Sequence, residues 1–226
     1  MATDLHVQTA GEGPTVLFLH GLDSDSAVWS PVIELLADHT CITVDLPGHG
    51  QSPVSDDPTR YEREAILADL DDVIGKLVAP VVLVGHSLGG YLGMAHGLTR
   101  PGAVDAMVLV STGPGFRDPD AREGWNERVR ENAKDYEIPE IAAAVAFHID
   151  SMVIDQMTEL TLPLALVIGD DDKAYLGANN YMEKKLPHAQ RTTVEGARHY
   201  VMRSHPEPVA TAIRSMSAAA RDSSNI

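Results

Sequence analysis

Nucleophilic catalysis needs a hydroxyl, a base and a carboxylate, and this chain of 226 residues carries them in an ordered series. The apolar, β-branched run Val81-Val82-Leu83-Val84 breaks into Gly85-His86-Ser87-Leu88-Gly89-Gly90. Gly85-x-Ser87-x-Gly89 between a strand and a helix is the nucleophile-elbow pattern, which holds a serine in a strained turn with Oγ projecting from the sheet top. Side chains at Gly85 or Gly89 would collide across such a turn. The helix that follows aims N–H groups and its positive dipole end at the same point. A serine hydroxyl is a weak nucleophile and needs a histidine base oriented by a carboxylate. With this elbow the chain order is serine, acid, histidine. Downstream, an apolar strand ends in Gly169-Asp170-Asp171-Asp172, and the last strand is followed by Gly196-Ala197-Arg198-His199-Tyr200. Strand C-termini are where sites form in open parallel sheets. Any of the three aspartates suits the role at this point.

The elements that position these groups alternate. Strands are predicted over residues 5–9, 15–19, 41–44, 81–84, 104–110, 164–168 and 191–194. Helices are predicted over 30–37, with Ser30 as cap and Pro31 at its first position, and over 62–77, 91–98, 179–186 and 206–219. Between residues 115 and 162 no strand is evident, and the segment reads as helical, with Trp125 in one candidate helix and residues 141–149 in another. Alternation of this kind means βαβ units, a mostly parallel sheet and helices on both faces. The last residues, 221–226, read as frayed.

Composition narrows the class. A length of 226 residues suits one α/β domain, and 44% hydrophobic with 22% charged residues is ordinary for a soluble protein. The net charge of -16 argues against a nucleic-acid partner and against adsorption to anionic lipid, and it weakly opposes anionic substrates. The single cysteine, Cys41, sits in an apolar run and reads as a buried small hydrophobe. No apolar stretch has spanning length, and the N-terminus lacks a basic and an apolar targeting region, so the expectation is a cytoplasmic protein without a membrane partner.

Taken together, His20-Gly21 with Trp29 downstream, Asp45-x-x-Gly48-x-Gly50-x-Ser52, the elbow, Gly169-x-x-Asp172 and Gly196-x-x-His199 make the chain resemble an α/β-hydrolase along nearly its whole length. The resemblance implies a fold of about seven strands, since the dozen residues before Pro14 leave room for only one opening strand where the family has two. It implies a core from residues 1–114 and 163–226, and a short helical lid, 115–162, inserted after the sixth family strand. It selects Asp172, the third residue after Gly169, as the acid that fixes the tautomer of His199, with Ser87 as nucleophile. An oxyanion hole from the backbone N–H groups of Leu22 and Leu88 is implied as well. His20, His49, His86 and Asp45 are scaffold in this reading.

The expected activity is hydrolysis of a small or medium carboxylic ester through an acyl-enzyme, with no metal and no cofactor. The same residues serve a lactonase or thioesterase, and a slow-turnover ligand receptor on the same fold is the reading from a different class. His148, Met152 and Tyr200 are expected at the substrate pocket, although the spacing of Met152, Ile154 and Met157 equally suits packing within the lid. Oligomeric state is not encoded in any pattern of this chain.

Overall fold

The structure, a computed structural model, describes residues 4–223. Seven strands form one sheet: β1 (Val7–Ala10), β2 (Thr15–Leu19), β3 (Thr40–Val44), β4 (Val81–His86), β5 (Ala106–Val110), β6 (Leu164–Gly169) and β7 (Gln190–Val194). Their order is β1-β3-β2-β4-β5-β6-β7, with β1 antiparallel to β3 and every other pair parallel. The helices are α1 (Ser30–Ile33), α2 (Arg63–Ile74), α3 (Leu88–Thr99), α4 (Pro119–Asn132), α5 (Met152–Gln156), α6 (Leu176–Lys185), α7 (Val201–Ser204) and α8 (Pro206–Ser223).

Strand side chains alternate between the two sheet faces, so each central strand must be apolar throughout. On β4, Val81 and Leu83 join a core shared with Leu67 and Leu70 of α2, Met94 of α3 and Met182 of α6. Val82 and Val84 point the other way, into a core with Trp29, Val32 and, from α8, Val209, Ile213 and Met216. The chain between β5 and β6 contributes α4, short 3-10 turns and α5. Its Val129, Ala133 and Ala142 pack with Leu46, Ile66, Leu88 and Leu92 in a third apolar cluster beside the elbow.

Several element boundaries differ from expectation for physical reasons. The helix after the elbow begins at Leu88 instead of residue 91, so no loop intervenes between Ser87 and the helix. The helix expected from residue 30 is shorter. It is preceded by a 3-10 turn, Ser26–Trp29, which Asp25 caps by accepting from the Ala27 N–H at 2.8 Å. Residues 141–149 do not form an α-helix: a 3-10 segment, Glu140–Ala146, gives way to extended chain at Phe147. Helix α8 runs on to Ser223, so residues 221–223 are helical where fraying was expected, and 224–226 lie outside the described residues.

β2 pairs with β3 on one side and β4 on the other, and the chain therefore leaves β2 and β4 in opposite directions across the sheet. Such a switch point opens a crevice at the strand C-termini. The loop after β2 and the elbow after β4 meet there.

Candidate active site

Ser87 occupies the turn between β4 and α3 with φ 50° and ψ −112°, a region that non-glycine residues rarely adopt. Neighbouring hydrogen bonds hold it there: its N–H donates to Val110 O at 3.0 Å, and its carbonyl accepts from the Tyr91 N–H at 3.1 Å and from Thr112 Oγ1. A Cβ on Gly85 would lie 2.5 Å from the backbone of Gly89 and Gly90, and one on Gly89 would lie 2.4 Å from Leu19 O. The glycines therefore let α3 fold back against its own strand and against β2.

The loops after β6 and β7 interlock. Asp171 N–H donates to Ala197 O at 3.0 Å, and Asp170 Oδ1 accepts from the Gly196 N–H at 2.8 Å. This brings His199 Nδ1 to 2.9 Å from Asp172 Oδ2. The three aspartates separate clearly. Asp170 holds the loop, Asp171 faces solvent with Arg198 and Lys173 at 3.1 and 3.5 Å, and Asp172 is buried against the imidazole. His86 supports the same ring from below, its Nε2 donating to His199 O at 3.1 Å and its ring centroid 4.7 Å from that of His199. Burial, with His199 beside it, pushes the His86 pKa well below the usual histidine range, so it serves as a neutral prop.

Tyr175 was not singled out from the sequence, yet it touches both groups. Its ring stacks on His199 with centroids 4.7 Å apart and planes inclined by 23°, and its hydroxyl is 3.5 Å from Ser87 Oγ. Among the described residues this is the side-chain contact of Ser87 Oγ that falls within hydrogen-bond range, and none joins Oγ to His199. Serine–base hydrogen bonds are often long before substrate binds. The signal was available in the chain: Tyr175 lies one helical turn after Asp172, and its N–H donates to Asp172 O at 3.1 Å.

Leu88 is the first residue of α3, so its N–H has no intrahelical acceptor and sits at the positive end of the helix dipole. Among the described residues the N–H of Leu22 likewise meets no acceptor, and both leucines line one cavity with Ser87. The loop that carries Leu22 is braced by His20. Its Nδ1 donates to Gly21 O at 2.7 Å, and its Nε2 accepts from the Leu46 N–H at 2.9 Å. Complete burial and the adjacent His49 lower its pKa to about 3, which preserves that single neutral tautomer. Asp45 accepts from the N–H groups of Ser26 and Gln51 at 2.7 and 2.9 Å and so ties the loops after β2 and β3 together.

The cavity beside Ser87 measures about 200 Å³ and is walled mainly by apolar groups, among them Phe116, Trp125 and Ala178, with His148 as a polar exception. Asn126 clamps the backbone of His148 from both sides, donating to its carbonyl at 3.0 Å and accepting from its N–H at 2.9 Å. The imidazole packs edge-on against Tyr91 at 4.4 Å, Phe116 at 5.3 Å and Trp125 at 5.8 Å. Burial, and then Arg63 and Arg122, lower its pKa to about 4. Two sequence expectations are corrected here. Met152 packs on the core beneath the sheet instead of lining this cavity, because its place at the start of α5 turns it towards α3. Tyr200 also lies off the cavity wall; its ring instead packs on His86 at 5.0 Å and His199 at 5.5 Å. Asp150 and Asp155 are each engaged by an arginine: Arg63 grips Asp150 through two bonds of 2.8 and 2.7 Å, and Arg117 lies 2.6 Å from Asp155.

The model of the Alpha/beta hydrolase family matches residues 16–212. The chain belongs to that family. As an alpha/beta hydrolase it is similar to a pimeloyl-[acyl-carrier protein] methyl ester esterase of Aliivibrio salmonicida, with 33% identity over 130 residues, 55% of this chain and 45% of that one. The chain spans about half the length of the curated relatives it matches. Its fold is shared with a thermophilic esterase from Thermogutta terrifontis at a TM-score of 0.84, 24% identity and coverage of 96% and 93% of the two chains. MenH from S. aureus superposes at 0.83 with 19% identity, over 96% of this chain and 99% of that one.

Proposed function

We propose that this alpha/beta hydrolase cleaves a small or medium carboxylic ester by acyl transfer. The observation that carries the reading is the convergence of Ser87, at the strained elbow, with His199 paired to the buried Asp172 at neighbouring strand ends. Ser87 Oγ attacks the ester carbonyl as His199 Nε2 takes its proton. Asp172 keeps the proton of His199 on Nδ1 and stabilises the imidazolium that forms. The N–H groups of Leu22 and Leu88 receive the oxyanion, each worth about 2.7–4 kcal/mol of transition-state stabilisation. Collapse expels the alcohol, which takes the proton from His199. Water then attacks the acyl-enzyme with the same imidazole as base.

Residues 115–162 act as a short lid in this reading, since they carry Phe116, Trp125, Ala146 and His148 to the cavity. Size and polarity support the substrate class. A cavity of about 200 Å³ falls below the roughly 300–1,000 Å³ of pockets for drug-sized ligands. Its walls are mainly apolar, and the net charge of -16 opposes anionic substrates. Relatives named for methyl ester hydrolysis agree with an ester as substrate. Among the described residues no helix is long and apolar enough to cross a membrane. Neither a cofactor nor a metal ion enters this acyl-transfer scheme.

Lactones and thioesters present the same carbonyl to the same groups, and a slow receptor would retain them with little turnover. The deciding experiment measures turnover on p-nitrophenyl acetate and on a panel of esters, lactones and thioesters, with Ser87→Ala as control. Multiple turnovers on esters, abolished in Ser87→Ala, are expected. Wild-type rates in Ser87→Ala, or at most a single turnover on every substrate, would overturn the reading.

A further inference from the structure

We infer that Tyr175 is a fourth catalytic residue, whose hydroxyl donates a hydrogen bond to the reacting Oγ of Ser87 while its ring carries the imidazolium formed on His199. The inference rests on the acyl-transfer reading above and adds a residue to it.

Two separate contacts support it. At rest Ser87 Oγ donates to the Tyr175 hydroxyl at 3.5 Å, and the tyrosine ring lies nearly parallel to the imidazole of His199 at 4.7 Å. The position follows from the acid itself. Asp172 O accepts from the N–H groups of Tyr175 and Leu176 at 3.1 and 3.0 Å, so the turn that starts at the carboxylate delivers the tyrosine back over the histidine. The base is thus held on one edge by Asp172, on one face by Tyr175, and by tilted and edge-on contacts from His86 and Tyr200.

The chemistry follows from when charge appears. As Ser87 gives its proton to His199 and attacks, partial negative charge builds on Oγ and passes to the carbonyl oxygen, while positive charge grows on the ring. Once the serine proton has moved to His199, the tyrosine hydroxyl turns from acceptor to donor beside the first charge, and a donor aimed at developing charge acts more strongly in the transition state than before it. The electron-rich face of the phenol lies against the second charge. No proton leaves Tyr175: the serine proton goes to His199 and from there to the departing alcohol. Burial raises the tyrosine pKa, so the hydroxyl keeps its hydrogen through the working range. The side chain also walls the cavity, which puts it beside the bound acyl group.

The test compares Tyr175→Phe and Tyr175→Leu with Ser87→Ala on p-nitrophenyl acetate. Phenylalanine keeps the ring and its volume, so Tyr175→Phe should fold as the parent does. It is expected to lower kcat about tenfold, with KM within about twofold. Tyr175→Leu, which also loses the stacked face, should lower kcat further, because the imidazolium loses its partner. Wild-type kcat in Tyr175→Phe, or a change confined to KM, would overturn the inference even with Ser87→Ala inactive. Activity surviving in Ser87→Ala would overturn the acyl-transfer reading itself.

Discussion

Asp172 and His199 stand 2.9 Å apart but differ sharply in access to water, their side chains being 3% and 30% exposed. The acid is sealed against the ring, while the ring keeps part of its surface open to water. A carboxylate in that position orients the base and does not itself exchange protons with substrate. Replacing Asp172 with Asn keeps the shape and favours the wrong tautomer. Asp172→Asn should therefore lower kcat by about 10⁴-fold with the fold intact. Asp171→Asn, which removes only exposed ion pairs, should stay within about twofold of the parent. Steady-state kinetics on a p-nitrophenyl ester separates the two.

Acid should destabilise the folded chain before its carboxylates are lost. The pKa values of His148 and His20 are held at about 4 and about 3, against an ordinary value of 6.5. In the unfolded chain both take up protons as pH falls through 6.5, while in the folded chain they stay neutral. Stability is therefore complete above about pH 7 and declines as pH falls towards 4. His148→Phe, surrounded by Tyr91, Phe116 and Trp125, should flatten this decline by at most about 3 kcal/mol between pH 7 and pH 4. Urea unfolding at several pH values checks the slope.

Glycine substitutions should divide by what lies around them. A Cβ at Gly89 meets two backbone carbonyls, Leu19 O at 2.4 Å and His20 O at 2.6 Å, neither of which can swing aside. Gly89→Ala should cost about 3 kcal/mol or more and displace the elbow. Gly177, in α6, faces open space. Gly177→Ala should stabilise by about 0.5 kcal/mol through the reduced freedom of the unfolded chain. Thermal and urea denaturation read both.

Trp125 should set acyl length. Its Nε1 donates to Ala146 O at 2.9 Å, which locks the indole as a wall of the cavity. Trp125→Ala should shift the ratio of kcat/KM values towards longer acyl chains, with p-nitrophenyl octanoate gaining on acetate by about tenfold. An unchanged ratio would place the acyl group elsewhere.

The amino-acid sequence by itself determined the strand–helix alternation, the elbow and the order of Ser87, Asp172 and His199 along the chain. These are short-range facts: apolar runs with β-branching, glycines where backbones must approach, and loops at strand ends. Choosing among Asp170, Asp171 and Asp172 by residues alone was not possible, because three consecutive carboxylates differ only in which one the interlocked loops bury. The apolar spacing of Met152 with Ile154 and Met157, and the place of Tyr200 beside His199, point to the pocket in the sequence. The direction of a side chain depends on the helix that carries it, and Met152 turned to the core. Tyr175 escaped notice for the opposite reason. Its importance comes from a stack on His199, 24 residues on, and a contact to Ser87, 88 residues back. Its place one turn after Asp172 was legible, but side chains brought together across such separations leave no periodic trace. Only the switch point between β2 and β4, and the packing of the segment before β6 above it, decided which groups share one cavity.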